Sequence, residues 1–183
     1  MSVNGAVVTT LAYHPLQDLL LEKTTSAGKR LSLWAGQNPL MDLDAQGNTL
    51  THYAATEAYD QIESVYSSSL TTVSYPLRDA LQSVYQVVDA HGETMASYSY
   101  SAYGEPRGWT DTGGTGNRFT FTGREWDNEA EMYYYRARWY RPGMGRFASV
   151  DPYLSGEARG PLPGYLRTMF ELLPGRFTYA AGN

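Results

Sequence analysis

The residues best equipped for chemistry crowd into one stretch, Met132-Tyr133-Tyr134-Tyr135-Arg136-Ala137-Arg138-Trp139-Tyr140, where two guanidinium groups sit among five aromatic rings. Such a run can stack a sugar or a base, or it can form a packing layer in which guanidinium planes lie on ring faces. Packing is the commoner fate of dense aromatics, so the expectation is structural. Gly113-Gly114-Thr115-Gly116 lacks the following Lys-Ser or Lys-Thr of a phosphate loop and reads as a linker. His14, His52 and His91 are scattered, without ligand spacing, and there is no cysteine. Thiolate chemistry, disulfides and Cys-ligated zinc are thereby excluded, and no metal and no cofactor is expected.

Positioning these residues falls to β-structure. Eighteen glycines, nine prolines and sixteen tyrosines stand against 18% charged residues in a chain of 183, a balance that favours turns and pleated surfaces. The net charge of −5 offers no basic field for nucleic acid or an anionic membrane. No window approaches the roughly 18 apolar residues of a membrane span. The start, Met1-Ser2-Val3-Asn4-Gly5, lacks the basic and apolar regions of a signal peptide; a cytoplasmic start is the default, with export left to dedicated machinery.

A repeat is visible at an offset of 45: Asp44-Ala45-Gln46-Gly47-Asn48-Thr49-Leu50-Thr51-His52-Tyr53 aligns without gaps on Asp89-Ala90-His91-Gly92-Glu93-Thr94-Met95-Ala96-Ser97-Tyr98. Each copy reads as a strand, a tight turn whose glycine supplies positive φ, and a second strand. A fainter copy opens the chain at Asn4-Gly5. Residues 54–76 read as a connection or exposed strand, and Arg78 to Gln82 as a helical turn. The expected organisation is hairpins over 1–103, a glycine-rich loop over 104–117, an end block over 118–152 and a C-terminal segment over 153–183. In the block, Arg118 to Glu125 and Met132 to Tyr140 each read as one strand, the second with Tyr133, Tyr135, Ala137 and Trp139 on one face. Tyr165 to Leu173 is apolar around most of its circumference and reads as a short helix, either closing the domain's own core or docked on a partner.

Three motifs in order, Phe121-Thr122-Gly123-Arg124-Glu125, then Tyr133-Tyr134-Tyr135-Arg136-Ala137-Arg138-Trp139-Tyr140, then Gly145-Arg146-Phe147-Ala148-Ser149-Val150-Asp151-Pro152, resemble the Rhs repeat-associated core. The upstream hairpins resemble YD repeats. The resemblance implies a mainly β fold of stacked antiparallel hairpins, a fragment of a shell that encapsulates or presents a C-terminal toxin or effector, sealed at one end by the core. It implies partners of two kinds: other shell segments or a second copy of the chain, and a C-terminal toxin cargo.

The resemblance also raises self-cleavage, because some family members release their cargo with core aspartates. That chemistry needs two carboxylates sharing a proton. Asp151 matches the Asp-Pro motif, with Asp127 or Glu125 as its partner and Arg146 as the cation beside it. The plainer reading, that Asp151 caps a turn before Pro152 and pairs with Arg146, is preferred. Scaffold work is therefore expected, with Arg124, Arg136, Arg138 and Arg146 tying strands together; an autoproteolytic module and a carbohydrate-binding β-domain centred on Trp139 are the rival classes. The sequence departs from the family pattern at Arg141, where an aspartate is usual, at the helix-like insertion near Tyr165, and in the small number of repeats, which suits a gene fragment or one piece of a split shell.

Overall fold

The computed structural model describes residues 2–3, 6–7, 9–15, 17–56, 61–112 and 114–151. Within them the chain is almost entirely strand and turn. Ten strands, β3 (Thr9–Tyr13), β4 (Leu20–Thr25), β5 (Gly28–Ala35), β6 (Asn38–Leu43), β7 (Thr49–Ala55), β8 (Ile62–Ser67), β9 (Val73–Arg78), β10 (Val84–Val88), β11 (Thr94–Tyr100) and β12 (Pro106–Asp111), form one antiparallel meander in which every strand pairs with its neighbours in sequence. A short ladder of β1 (Ser2–Val3) and β2 (Ala6–Val7) precedes it. A second sheet of four strands, β13 (Glu125–Asp127), β14 (Met132–Tyr135), β15 (Arg138–Arg141) and β16 (Arg146–Phe147), follows, also in sequential order.

The hairpins repeat because one turn repeats. Asp44 accepts at its carbonyl from the Gly47 N–H, while its carboxylate takes the N–H groups of Gln46 and Asn48. Asp89 does the same with Gly92, His91 and Glu93, and Asp79 with Gln82, Leu81 and Ser83. Ser101 and Gly104 make a fourth copy, with a hydroxyl in place of the carboxylate. The fourth residue of each turn lies at positive φ, 84° at Gly47, Gly92 and Gly104 and 69° at Gln82. This explains the offset of 45: it spans four strands, and the Asp79 turn falls between the two matching copies without a glycine to mark it.

Several expectations are corrected. Within 54–76, expected to be a connection or an exposed strand, Ile62–Ser67 is strand β8 and Val73 to Pro76 begin β9, but these strands are not exposed, since Ile62 and Val65 are wholly buried. The helical turn over Arg78 to Gln82 is instead the end of β9 and the Asp79 turn, whose carboxylate competes for the backbone N–H groups a helix would use. The stretch 104–117 is not all loop, since Pro106–Asp111 is the edge strand β12, held by Tyr98 opposite Trp109. Arg118 to Glu125 contains a 3₁₀ turn at Phe121–Gly123 with Thr122 at φ 50°, so it folds back on itself. Met132 to Tyr140 is a tight hairpin, not one strand: Arg136 at φ 59° reverses the chain and sets Tyr134 opposite Trp139. The helix-like Tyr165 to Leu173, and Pro152, lie outside the described residues.

Register assigns the meander's two faces. Leu11 pairs with Lys23, Lys23 with Arg30, Ser32 with Asp42, Asp42 with Thr51, Tyr53 with Val65, Val65 with Ser74, Val87 with Ala96 and Tyr98 with Trp109. These residues therefore share one side, and the end block packs there. Three apolar clusters fill the contact: Tyr53, Ile62, Val65 and Phe119; Val84, Val87, Ala96 and Tyr98; and Phe121, Tyr133, Tyr140 and Phe147. A bulge in β10 lets Val84 and Val87 both point into the second cluster.

The turns also rank their glycines. At Gly92 an added Cβ meets nothing, whereas at Gly104 it would lie 2.6 Å from Phe121 ring carbons. Gly92→Ala is expected to cost about 1 kcal/mol from positive φ alone. Gly104→Ala should cost more than twice as much, because the Phe121 ring must also move, and urea unfolding of the two variants side by side checks the order.

Candidate functional site

The region with the most concentrated chemistry is the seam between the end block and the inner face of the meander. At its centre lies Arg118, its side chain 9% exposed. Its Nη2 and Nε reach Asp42 Oδ1 and Oδ2 at 2.9 and 3.1 Å, a two-pronged contact, and its Nη1 stands 3.4 Å from Glu125 Oε2. Asp42 also accepts from Ser32 Oγ at 2.8 Å and from the Tyr53 hydroxyl at 2.7 Å. Arg30 of β5 binds the other Glu125 oxygen, and Lys23 of β4 bridges Asp127, at 2.9 Å, and Glu129. The Arg118 guanidinium further lies 4.4 Å from the Phe119 ring centroid and 5.1 Å from that of Tyr53. Two long-range ladders of charge thus cross from sheet to block.

Burial alone would push the Asp42 carboxyl up, but Arg118, Arg30 and the two hydroxyl donors outweigh it and hold it below the ordinary aspartate range. For Arg118 burial works downward, and Asp42 and Glu125 reverse it, so its proton is held more tightly than usual. Because the folded-state value of Asp42 is depressed, its stabilising contribution is complete above the unfolded value near 4 and is lost as pH falls through the folded value. The urea midpoint is expected to fall from about pH 4 downward, and Asp42→Asn to flatten that acid limb.

The motif residues are dispersed over structural tasks. Gly123, at φ 70°, closes the 3₁₀ turn. Arg124 lies 4.8 Å from the Tyr135 ring centroid, and Tyr135 shares a hydrogen bond with Thr122. Tyr133 and Tyr140 are completely buried and donate to the carbonyls of Gly104 and Tyr103 at 2.8 and 2.9 Å. The Tyr134 hydroxyl donates to the Asp18 carbonyl, and its ring meets Tyr13 and Trp139. Arg136 reaches the Gln37 carbonyl at 3.2 Å. Gly145, at φ 61°, ends a second 3₁₀ turn, and Phe147 packs against Tyr140.

The expected Arg146–Asp151 pair does not form. After β16 the ladder continues, with the Ala148 N–H on the Trp139 carbonyl, so the chain runs back along β15 and delivers Asp151 to Arg138 at 3.0 Å. Arg138 also covers the Phe147 ring at 3.5 Å. Arg146 is exposed and stands opposite Arg141. The three carboxylates considered for proton sharing each face a cation: Glu125 meets Arg30 and Arg118, Asp127 meets Lys23, and Asp151 meets Arg138. Among the described residues no group of three or more histidines, cysteines or carboxylates is placed to hold a metal ion, and no helix is long and apolar enough to cross a membrane.

Arg118, Asp42, Arg30 and Lys23 went unselected in the sequence. A signal was present: in Leu31-Ser32-Leu33 and Met41-Asp42-Leu43 a lone polar residue interrupts an apolar strand, and in both cases that residue is the buried one.

No family model matches the chain. It is 38% identical over 73 residues to the tRNA3(Ser)-specific nuclease WapA of Bacillus spizizenii, a match covering 38% of the chain and 3% of that protein. The chain thus spans a small fraction of the curated relatives it matches. Among solved structures it superposes on the TcdB2–TccC3–TEV crystal structure with a TM-score of 0.63 at 16% identity, covering 99% of this chain and 9% of that one. The Photorhabdus luminescens Tc holotoxin pore gives a TM-score of 0.65 at 16% identity, covering 100% and 9%. The likeness to these solved structures shows the fold, which is the mainly β architecture of these Tc toxin chains.

Proposed function

We propose that the chain is wall material of an Rhs/YD-type β-shell that encloses or presents a C-terminal toxin or effector. The observation that carries this reading is the seam: a ten-stranded sequential meander has its inner face closed by an end block through buried ion pairs, an investment in rigidity rather than in an open reaction centre. Glu125, Asp127 and Asp151, the carboxylates considered for proton sharing, are each engaged by a cation from another strand. Among the described residues β3 and β12 pair on one side only, and unpaired edges of this kind accept another strand. Their partners are further shell segments or a second copy of this chain.

Multi-angle light scattering of the purified chain tests the proposal. Concentration-dependent association is expected, and a stable monomer at every concentration overturns it. A second arm extends the chain by its downstream coding sequence and follows its mass with and without Asp151→Asn. Cleavage that vanishes in the variant would make the block a self-cutting module instead of passive wall.

A further inference from the structure

All four tryptophans lie among the described residues, and three of their indole N–H groups find acceptors. Trp34 donates to the Leu20 carbonyl at 2.9 Å, Trp126 to Asn128 Oδ1 at 2.7 Å and Trp139 to the Tyr13 hydroxyl at 2.9 Å. Trp109 is the exception: its Nε1 is buried and, among the described residues, has no hydrogen-bond partner, which is rare in folded proteins. The cause is position. Trp109 sits on the edge strand β12 opposite Tyr98, where the inner face of the meander runs out beside the end block. A hollow of about 270 Å³ opens there, and its walls include Tyr98, Trp109, Trp126, Asp111, Arg118 and Asn128.

The rings of this hollow form a corner, since Trp109 meets Tyr98 at 87° and Trp126 at 70°, with centroids 5.3 and 5.5 Å apart. Rings set nearly at right angles make no parallel slot for a flat base, but they offer a face to the C–H groups of a puckered ring. Polar capacity stands beside them. Asp111 accepts from the Thr115 N–H and hydroxyl at 3.2 and 3.0 Å and keeps lone pairs to spare, and the exposed Asn128 has its amide N–H groups unspent. Charge selects further: Arg118 is already held by Asp42 and Glu125, at 2.9 and 3.4 Å, and Asp111 adds a negative charge, so an anionic ligand is disfavoured. We infer that this corner binds one neutral hexopyranose, with a sugar oxygen accepting from Trp109 Nε1, hydroxyls donating to Asp111 and C–H groups resting on indole. The volume lies just under the ~300 Å³ at which small-molecule sites begin, which suits one ring and not an oligosaccharide. The site does not depend on the shell reading, because a wall segment and a lone domain would present it alike.

Titrating the full chain with glucose, galactose and N-acetylglucosamine, followed by ligand-observed NMR and tryptophan fluorescence, tests the assignment. Saturable binding of at least one sugar in the millimolar range is expected. Trp109→Phe keeps a ring in the corner and removes the N–H, so binding should weaken about tenfold while the urea midpoint stays level or rises, the orphaned donor being gone. Asp111→Asn, on the exposed edge strand, should weaken binding without changing the circular dichroism. Trp139→Ala, in the β14–β15 hairpin of the block, should leave binding unchanged. Failure of all three sugars to saturate, undiminished binding by Trp109→Phe and Asp111→Asn, or a loss at Trp139→Ala instead would each overturn the assignment. So would a preference for glucose 6-phosphate or adenosine over every neutral sugar.

Discussion

Arg118→Leu is expected to destabilise the protein by about 3–5 kcal/mol, with most of the loss at the seam, because two carboxylates lose the cation that justifies their burial. Asp42 and Glu125 are 3% and 4% exposed, so neither can turn to water without opening the contact between block and sheet. Arg30 stays on Glu125 and cannot replace the two-pronged bond to Asp42. Urea unfolding measures the total, and hydrogen exchange locates it. Protection should fall first in residues 118–127 and in β5 to β7, before β10 to β12. Combining Arg118→Leu with Asp42→Asn should recover a substantial part of the loss, since the penalty belongs to the stranded charge. If the single variant costs under 1 kcal/mol, the network does not hold the block.

Tyr133→Ala should be comparably damaging, at about 3–5 kcal/mol, for an apolar reason. Its ring is fully buried, with centroids of Trp126, Phe121 and Tyr140 at 4.7, 5.7 and 6.4 Å. The ring joins both sheets, because its hydroxyl ties β14 to the Gly104 turn while its faces meet the block's aromatics. Tyr133→Phe separates the two contributions: it keeps the packing and should cost about 1 kcal/mol. Trp139→Ala, on the partly exposed side of the same hairpin, should cost less than half as much as Tyr133→Ala, and a reversed order would mean the aromatic layer is not the block's core.

The outcome for individual residues shows why some of this was legible. Asp44 and Asp89, each with a glycine three residues on, announce turns by local chemistry, and local chemistry survives folding unchanged. Asp79 escaped notice because Gln82 occupies the positive-φ position that glycine usually fills. Met132 to Tyr140 misled because alternation describes one strand as well as two short ones; only the left-handed turn at Arg136 distinguishes them, and arginine carries no signal for it. The pairing of Asp151 with Arg138 rather than Arg146 follows from which way the chain returns after β16, a matter of register.

The polarity of the meander inverts the usual rule. In β5 and β6 alternation marks Leu33 as core and Asp42 as surface; in the structure Leu33 is 44% exposed and Asp42 is buried, because the inner face receives Arg118 of the end block. The sequence by itself determined the hairpin repeat, the β class and an end block dense in tyrosine and arginine, since strand period and turn chemistry act over a few residues. Only tertiary structure decided which face is inside and which charge meets which, because Lys23, Arg30 and Asp42 find their partners 76 to 106 residues away. At that separation, contact is set by how two sheets stack, and no local pattern records it.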